Sequence, residues 1–244
     1  MNEFALITGA SKGIGKCIAQ QLAKSGYNLL LVARSEAALQ ELSAQIQHRY
    51  HNKVFYLSAD LSASNAAMEV ADWTKKNTGQ LAILINNAGY GLWGGFENLD
   101  LNEQMNMLAL NINAVVELTH HLIPALKQQK QAYILNLSST AAYQAVPGLA
   151  LYAASKSFVL SYSRALRYEL KDSVVSVSCL CPGPTDTGFA SRAGLDILAD
   201  LAEKFNMSPE SVAAAGIKGM FNKKAEIIPG FLNKLSSLDR KSVV

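Results

Sequence analysis

Short apolar runs alternate with longer amphipathic stretches from one end of this chain to the other, and few architectures satisfy that rhythm. The runs are Phe4–Ile7, Leu29–Ala33, Val54–Ser58, Ala82–Ile85, Tyr133–Leu137, Val174–Cys179 and a short one at Glu226–Ile228. They are rich in Val, Ile and Leu at consecutive positions, as strands covered on both faces must be. Helical stretches lie between them near Gly15–Ser25, Glu36–Arg49, Ser64–Asn77, Asn102–Gln129 and Tyr152–Leu170, and Gly26 stands where the first should stop. Strand–helix–strand units that cross right-handed build an α/β fold, here a doubly wound parallel sheet of about seven strands with helices on both faces. Ligands of such sheets bind at the carboxyl ends of the strands. At 244 residues, without repeats or a Pro/Ser-rich linker, residues 1–244 read as a single domain. The rhythm breaks over 184–224, which is the expected substrate lid.

Composition removes several classes of function. Lysines and arginines exceed acidic residues by only three and are scattered, so neither nucleic acid nor a membrane surface is an expected partner. The apolar runs fall far short of the ~20 residues that cross a bilayer. The amino terminus enters a strand-like stretch without a signal-peptide pattern, and a cytoplasmic location is expected. The three cysteines, Cys17, Cys179 and Cys181, form no CxxC pair and read as small core residues. His48, His51, His120 and His121 lack companions at metal-ligand spacing, so no metal site is expected.

The first run is followed by Thr8-Gly9-Ala10-Ser11-Lys12-Gly13-Ile14-Gly15 and then a helix. Glycines allow a tight turn and close approach of backbone to a pyrophosphate, and the helix start offers free N–H groups and a positive dipole end. Gly9, Ser11, Lys12, Gly13, Ile14 and Gly15 are therefore candidate nucleotide contacts, and the sheet reads as Rossmann-type. The GxxxGxG spacing differs from the GxGxxG dinucleotide pattern.

Four further patterns follow in order: Asn86-Asn87-Ala88-Gly89 after the fourth run, Asn136-Leu137-Ser138-Ser139 closing the fifth, Tyr152-Ala-Ala-Ser-Lys156 opening a helix, and Pro182-Gly183 after the sixth. With the glycine loop and with Asn111 in the long helix, this sequence resembles the short-chain dehydrogenase/reductase family over residues 4 to about 190. Ile228-Pro229-Gly230 and Asn233-Lys234-Leu235 resemble the ends of a carbonyl-reductase-like subgroup.

Tyr152 and Lys156, four apart, project from one helix face. A cation at ~4 Å and an effective dielectric of ~20 favours phenolate by up to ~4 kcal/mol, which would lower the tyrosine pKa from about 10 by as much as ~3. Tyr152 is thus the expected general acid/base. The resemblance implies a serine 13 residues before the tyrosine, which selects Ser139, with Ser138 as the fallback. It also implies that Lys156 holds the nicotinamide ribose and that Asn111 is a water-holding relay.

The second strand ends on Ala33 followed by Arg34 and Ser35, where an NAD site commonly places an acid. Arg34 with Lys12 suits a 2′-phosphate, so NADP(H) is expected ahead of NAD(H). The resemblance makes Asp60 and Leu61 adenine contacts, puts Asn87, Ala88 and Gly89 along the adenosine, and sets Pro182, Gly183, Thr185 and Thr187 beside the nicotinamide. Tyr90, Trp93, Tyr143 and Phe189 suggest a substrate with apolar bulk. The expected function is hydride transfer between NADP(H) and a carbonyl or secondary alcohol, and the resemblance implies a homodimer or homotetramer. The alternatives are a catalytically silent NADP(H)-binding regulator and a cofactor-retaining epimerase or dehydratase.

Overall fold

A computed structural model describes residues 2–185 and 207–238. Seven strands, β1 (Phe4–Thr8), β2 (Asn28–Ala33), β3 (Val54–Ser58), β4 (Leu81–Asn86), β5 (Ala132–Leu137), β6 (Val175–Leu180) and β7 (Glu226–Ile227), form one sheet. Their order is β3-β2-β1-β4-β5-β6-β7 and every pairing is parallel. The chain winds outward from β1 to β3, then from β4 to β7, so the topological switch falls between β1 and β4. Such a switch opens a crevice beyond the strand ends.

Side chains alternate across a strand, and the sequence loads both sides with apolar residues. Ala5, Ile7, Leu29, Leu31, Ile83 and Ile85 pack on one face against Ile18 and Leu22 of α1 (Gly13–Lys24), Leu39 and Leu42 of α2 (Glu36–Tyr50) and a late helix described below. Phe4, Leu6, Leu30, Val32 and Leu84 pack on the other. There they meet Val70 of α3 (Ala66–Asn77), and Leu118 and Leu122 from the helix ahead of β5 and Leu166 from the helix after it. Gly26, at φ +90°, turns the chain out of α1 as its position in the sequence suggests.

The helix expected over Asn102–Gln129 is divided. α4 (Leu101–Leu108) passes through a five-residue π turn, Ala109–Asn113, into α5 (Ala114–Leu126). Beyond β5, α6 (Ala150–Glu169) begins two residues before Tyr152.

Of the stretch expected as a lid, 186–206 lie outside the described residues, and Pro209–Phe221 is a helix, α7, that belongs to the core layer on the α1 face. Ser208 caps it by accepting from the Ser211 N–H, Pro209 suits its first turn, and Val212, Ala213 and Met220 are buried. Gly216 and Gly219 let it lie close on the sheet: a Cβ at Gly216 would meet Leu180 Cδ2 at 2.7 Å, and one at Gly219 would meet Ile227 Cδ1 at 2.5 Å. A last helix, α8 (Phe231–Leu238), follows β7.

A polar seam crosses the apolar interior. Asn86 and Asn136 are register partners at the ends of β4 and β5, and Asn86 Nδ2 donates to Asn136 Oδ1 at 2.8 Å. Asn86 Nδ2 also reaches Thr119 Oγ1 on α5 (3.0 Å), and Asn136 Nδ2 reaches Ser163 Oγ on α6 (2.9 Å). All four residues are buried, where each made hydrogen bond matters because an unmade one costs about 1–3 kcal/mol.

Candidate active site

The glycine loop leaves β1 at the switch point. Gly9 (φ +65°) and Gly13 (φ +55°) occupy the left-handed region that side chains disfavour. Gly15 fits because it has no Cβ: one there would collide with Gly9 O and Asn87 Nδ2. Lys12 stands at the N-cap of α1 without a side-chain capping bond, so the amino end of the helix keeps main-chain N–H groups for another acceptor.

Asn87 locks this loop to the end of β4. Its Nδ2 donates to Thr8 O (2.8 Å) and Gly9 O (3.1 Å), while Thr8 Oγ1 accepts from Asn87 N and Ala88 N, both at 3.0 Å. The Asn87 amide is thereby occupied inside the protein, while Ala88 and Gly89 continue along the crevice.

Gly89 leads to the polar centre. A Cβ there would lie 2.9 Å from Asn111 Oδ1 and 3.2 Å from Lys156 Nζ. Asn111, buried in the π turn, donates to Tyr90 O (2.9 Å) and Ser155 Oγ (3.0 Å) and accepts from Tyr90 N (3.2 Å). It therefore joins the strand β4 exit to the helix that bears Tyr152 and Lys156. Ser155, buried inside the YxxxK pattern, is the link, and its place between Tyr152 and Lys156 is the one signal of it in the sequence.

The two serines after β5 divide their tasks. Ser138 Oγ is buried and donates to Lys156 O at 2.7 Å. Ser139 Oγ accepts from Ala141 N at 3.1 Å and hydrogen-bonds the Tyr152 phenol. Lys156 Nζ donates to Leu137 O at 3.1 Å and sits 5.8 Å from the centre of the Tyr152 ring.

Electrostatics here correct one expectation. Burial pushes the Tyr152 pKa up to about 12, and the Ser139 hydrogen bond only partly opposes it. Burial also draws Lys156 down to about 8. The lysine ammonium is engaged with Leu137 O, and burial of the phenol dominates over the pull assumed from helical spacing. Tyr152 is a firmly protonated phenol at neutral pH.

At the far side of the crevice Arg34 Nη1 lies 3.9 Å from Asp60 Oδ2, both partly exposed. Asp60 Oδ1 also accepts from Ser62 N (3.0 Å) and Ser62 Oγ (2.7 Å). Ser35 caps α2 by accepting from Ala38 N at 3.4 Å, and Leu61 is buried in the core. Thr185 Oγ1 donates to Gly183 O at 2.9 Å, whereas Thr187 and Phe189 lie outside the described residues.

Among the expected pocket aromatics, Tyr90 is buried beside Met107 and Tyr152, with Leu92, Leu149 and Leu151 around them. Trp93 packs under Gly148. Tyr143 instead turns to Glu226, donating to Oε2 at 2.8 Å. The aliphatic members of this wall had no distinguishing pattern in the sequence. Among the described residues no three His, Cys, Asp or Glu side chains gather as metal ligands, and no helix is long and apolar enough to cross a membrane.

A cradle of uncapped helix N–H groups, two left-handed glycines and a basic residue fits the pyrophosphate of a dinucleotide. The protonated phenol, hydroxyl and ammonium lie along the same row of strand ends and can manage a proton on a reacting oxygen.

Comparison with known proteins agrees with this arrangement. Residues 3–197 match the sequence pattern described as short chain dehydrogenase. The chain is 29% identical over 216 residues to an uncharacterized oxidoreductase of Staphylococcus saprophyticus, covering 88% of this chain and 90% of that protein. It is 31% identical over 226 residues to a ketoacyl reductase of a Nostoc species, covering 91% and 77%. Its fold matches that of a short-chain dehydrogenase from Sphingobium yanoikuyae in complex with NADPH, with TM-score 0.87, 29% identity, and 97% and 92% of the two chains covered.

Proposed function

The chain belongs to the short chain dehydrogenase family, and from that premise we propose that it is an NADP(H)-dependent oxidoreductase acting on a carbonyl or secondary alcohol, with Tyr152 as general acid/base. The observation that carries this reading is the meeting of the Tyr152 phenol, the Ser139 hydroxyl and the Lys156 ammonium next to Gly89 and Asn111.

The glycine loop and α1 would hold the pyrophosphate, Ala88 and Gly89 the adenosine side, and Pro182–Thr185 the nicotinamide side. A nicotinamide nucleotide bound there supplies or accepts the hydride. In the reducing direction Tyr152 Oη gives its proton to the substrate oxygen while Ser139 Oγ donates a hydrogen bond to the same oxygen. Negative charge then appears on the phenol oxygen, and the Lys156 ammonium offsets it. Because Tyr152 is protonated at neutral pH, it starts as the donor; in oxidation it must first be made phenolate, which high pH favours. Asn111 holds Tyr90 and Ser155 and so sets the position of α6 under the phenol.

Arg34 favours NADP(H): the end of β2 carries Ala33, Arg34 and Ser35 where an NAD site places an acid for the ribose, and a guanidinium pairs well with a 2′-phosphate. The apolar wall formed by Leu92, Met107, Leu149 and Leu151 favours a substrate with apolar bulk. Exposed Leu101 and Met105 on α4 and Phe158 and Tyr168 on α6 favour a homodimer or homotetramer through these helices.

The test is NADPH oxidation, with NADH in parallel, over a panel of aldehydes, ketones and diketones. Wild type should consume NADPH preferentially, and Tyr152→Phe should lose turnover by a factor of about 10³ or more while binding NADPH within threefold. Equal turnover by Tyr152→Phe would remove the phenol from the mechanism.

A further inference from the structure

The carboxyl-terminal Pro229-Gly230 turn and Asn233 have no part in the chemistry above, yet the structure brings Asn233 against the loop after β6. A Cβ at Gly183 would collide with Asn233 Oδ1 and lie 2.6 Å from both its Cγ and its Nδ2. The carboxamide is thus stacked directly on the Gly183 backbone. Its Nδ2 donates to Pro229 O at 2.8 Å and approaches Met207 Sδ at 3.8 Å. Three segments distant in sequence therefore converge on this one side chain: the Pro182–Thr185 loop, Met207 and the turn into α8. Met207 is itself bridged to Thr185 and donates its N–H to Pro184 O at 3.1 Å.

We propose that Asn233 is a positioning residue for the nicotinamide half of the nucleotide site, fixing the Pro182–Thr185 loop through its packing on Gly183. The inference rests on the reading of that loop as a nicotinamide contact. Asn233 is half-buried on a short helix whose neighbouring Phe231, Leu232 and Leu235 are exposed. A small residue is required at 183 because the amide occupies the space a side chain would take. The amide in turn limits how far the loop can move toward α8. A site is held to working geometry by such supporting contacts as much as by the groups that touch ligand.

The arrangement makes two separable demands. Loosening the clamp should weaken contacts to the nicotinamide half and leave the adenosine half alone, since the glycine loop, Arg34 and Asp60 lie on other strands. Overfilling the contact should be harmful only while the carboxamide is present.

NADPH and adenosine 2′,5′-bisphosphate would be titrated by fluorescence and calorimetry into wild type, Asn233→Ala, Gly183→Ala and the double variant. Asn233→Ala should weaken NADPH about fivefold to tenfold and leave the bisphosphate within twofold. Gly183→Ala should weaken NADPH more than tenfold, and adding Asn233→Ala to it should recover most of that loss, a coupling that distant independent sites do not show. Equal loss for both ligands, no loss for either, or simple additivity of the two substitutions would overturn the proposal. If wild type binds neither ligand, the nucleotide reading itself fails, a result distinct from a failed clamp.

Discussion

Ser138 donates a 2.7 Å hydrogen bond to the main-chain carbonyl of Lys156, so the end of β5 is tied to the helix that bears Tyr152. The neighbouring Ser139 is thereby the one that faces the phenol. The two substitutions should fail differently. Ser139→Ala should lower kcat by about 10²–10³ with little change in melting temperature, as loss of an oxyanion donor does. Ser138→Ala removes a buried bond and should cost about 1–2 kcal/mol. For a chain of this size that is a melting shift of about 2–8 °C, with kcat reduced less than tenfold. Calorimetry and steady-state kinetics on the same preparations separate the outcomes, and the reverse pattern would assign the oxygen contact to Ser138.

Lys156 predicts a slope in stability. Its folded pKa is about 8 against an ordinary 10.5, so between those values the unfolded chain holds more protons and stability rises with pH; below about 8 the contribution is constant. Tyr152, raised from 10 to about 12, acts in the opposite direction above pH 10, where the folded chain keeps the proton. Urea unfolding of wild type relative to Lys156→Met should therefore show a gain on the order of 2 kcal/mol from pH 8 to pH 10. Parallel curves for the two proteins would show that the ammonium is not desolvated as described.

The phenol itself can be followed. Subtracting the 295 nm titration of Tyr152→Phe from that of wild type should leave a phenolate transition near pH 12 and none between pH 7 and pH 10. A transition near pH 7 would restore the lysine-dominated expectation drawn from helical spacing.

Asn111 holds both main-chain groups of Tyr90 and the Ser155 hydroxyl. Asn111→Leu should leave those partners unmet and cost about 2–4 kcal/mol, with kcat falling alongside. Asn111→Asp keeps the acceptor and should retain the Tyr90 N–H contact alone. Proton exchange of the Tyr90 amide would report it: fast exchange in the leucine variant and protection in wild type is the expected contrast.

The proposed preference for NADP(H) rests on Arg34. Arg34→Ala should raise KM for NADPH about tenfold and leave NADH within twofold, because only the former carries a 2′-phosphate for the guanidinium to meet. Equal effects on both would make Arg34 a partner of Asp60 and nothing more.

The strands and the order of the site loops were legible because each rests on local signals: consecutive apolar residues for β1, β2 and β4, and glycine between a strand and a helix for the nucleotide cradle. The π turn at Ala109–Asn113 was not, since widening one helical turn leaves apolar spacing on either side nearly unchanged. α7 was hidden for a different reason. Glycine lowers helix propensity, yet Gly216 and Gly219 are the flat surface that lets a helix approach Leu180 and Ile227. The shift at Tyr152 needed burial, which the four-residue spacing to Lys156 does not encode.

The amides of Asn86 and Asn136 work as an indexing pin. Parallel strands of Leu, Ile and Val offer almost the same packing after a slide of two residues, but the bonded amide pair exists at one setting only. The loops that follow, one leading to Gly89 and the other to Ser139, therefore leave the sheet with a fixed offset. The loops that face the crevice can then vary in length and sequence without shifting the relative height of Gly89 and Ser139, since that offset is set inside the sheet.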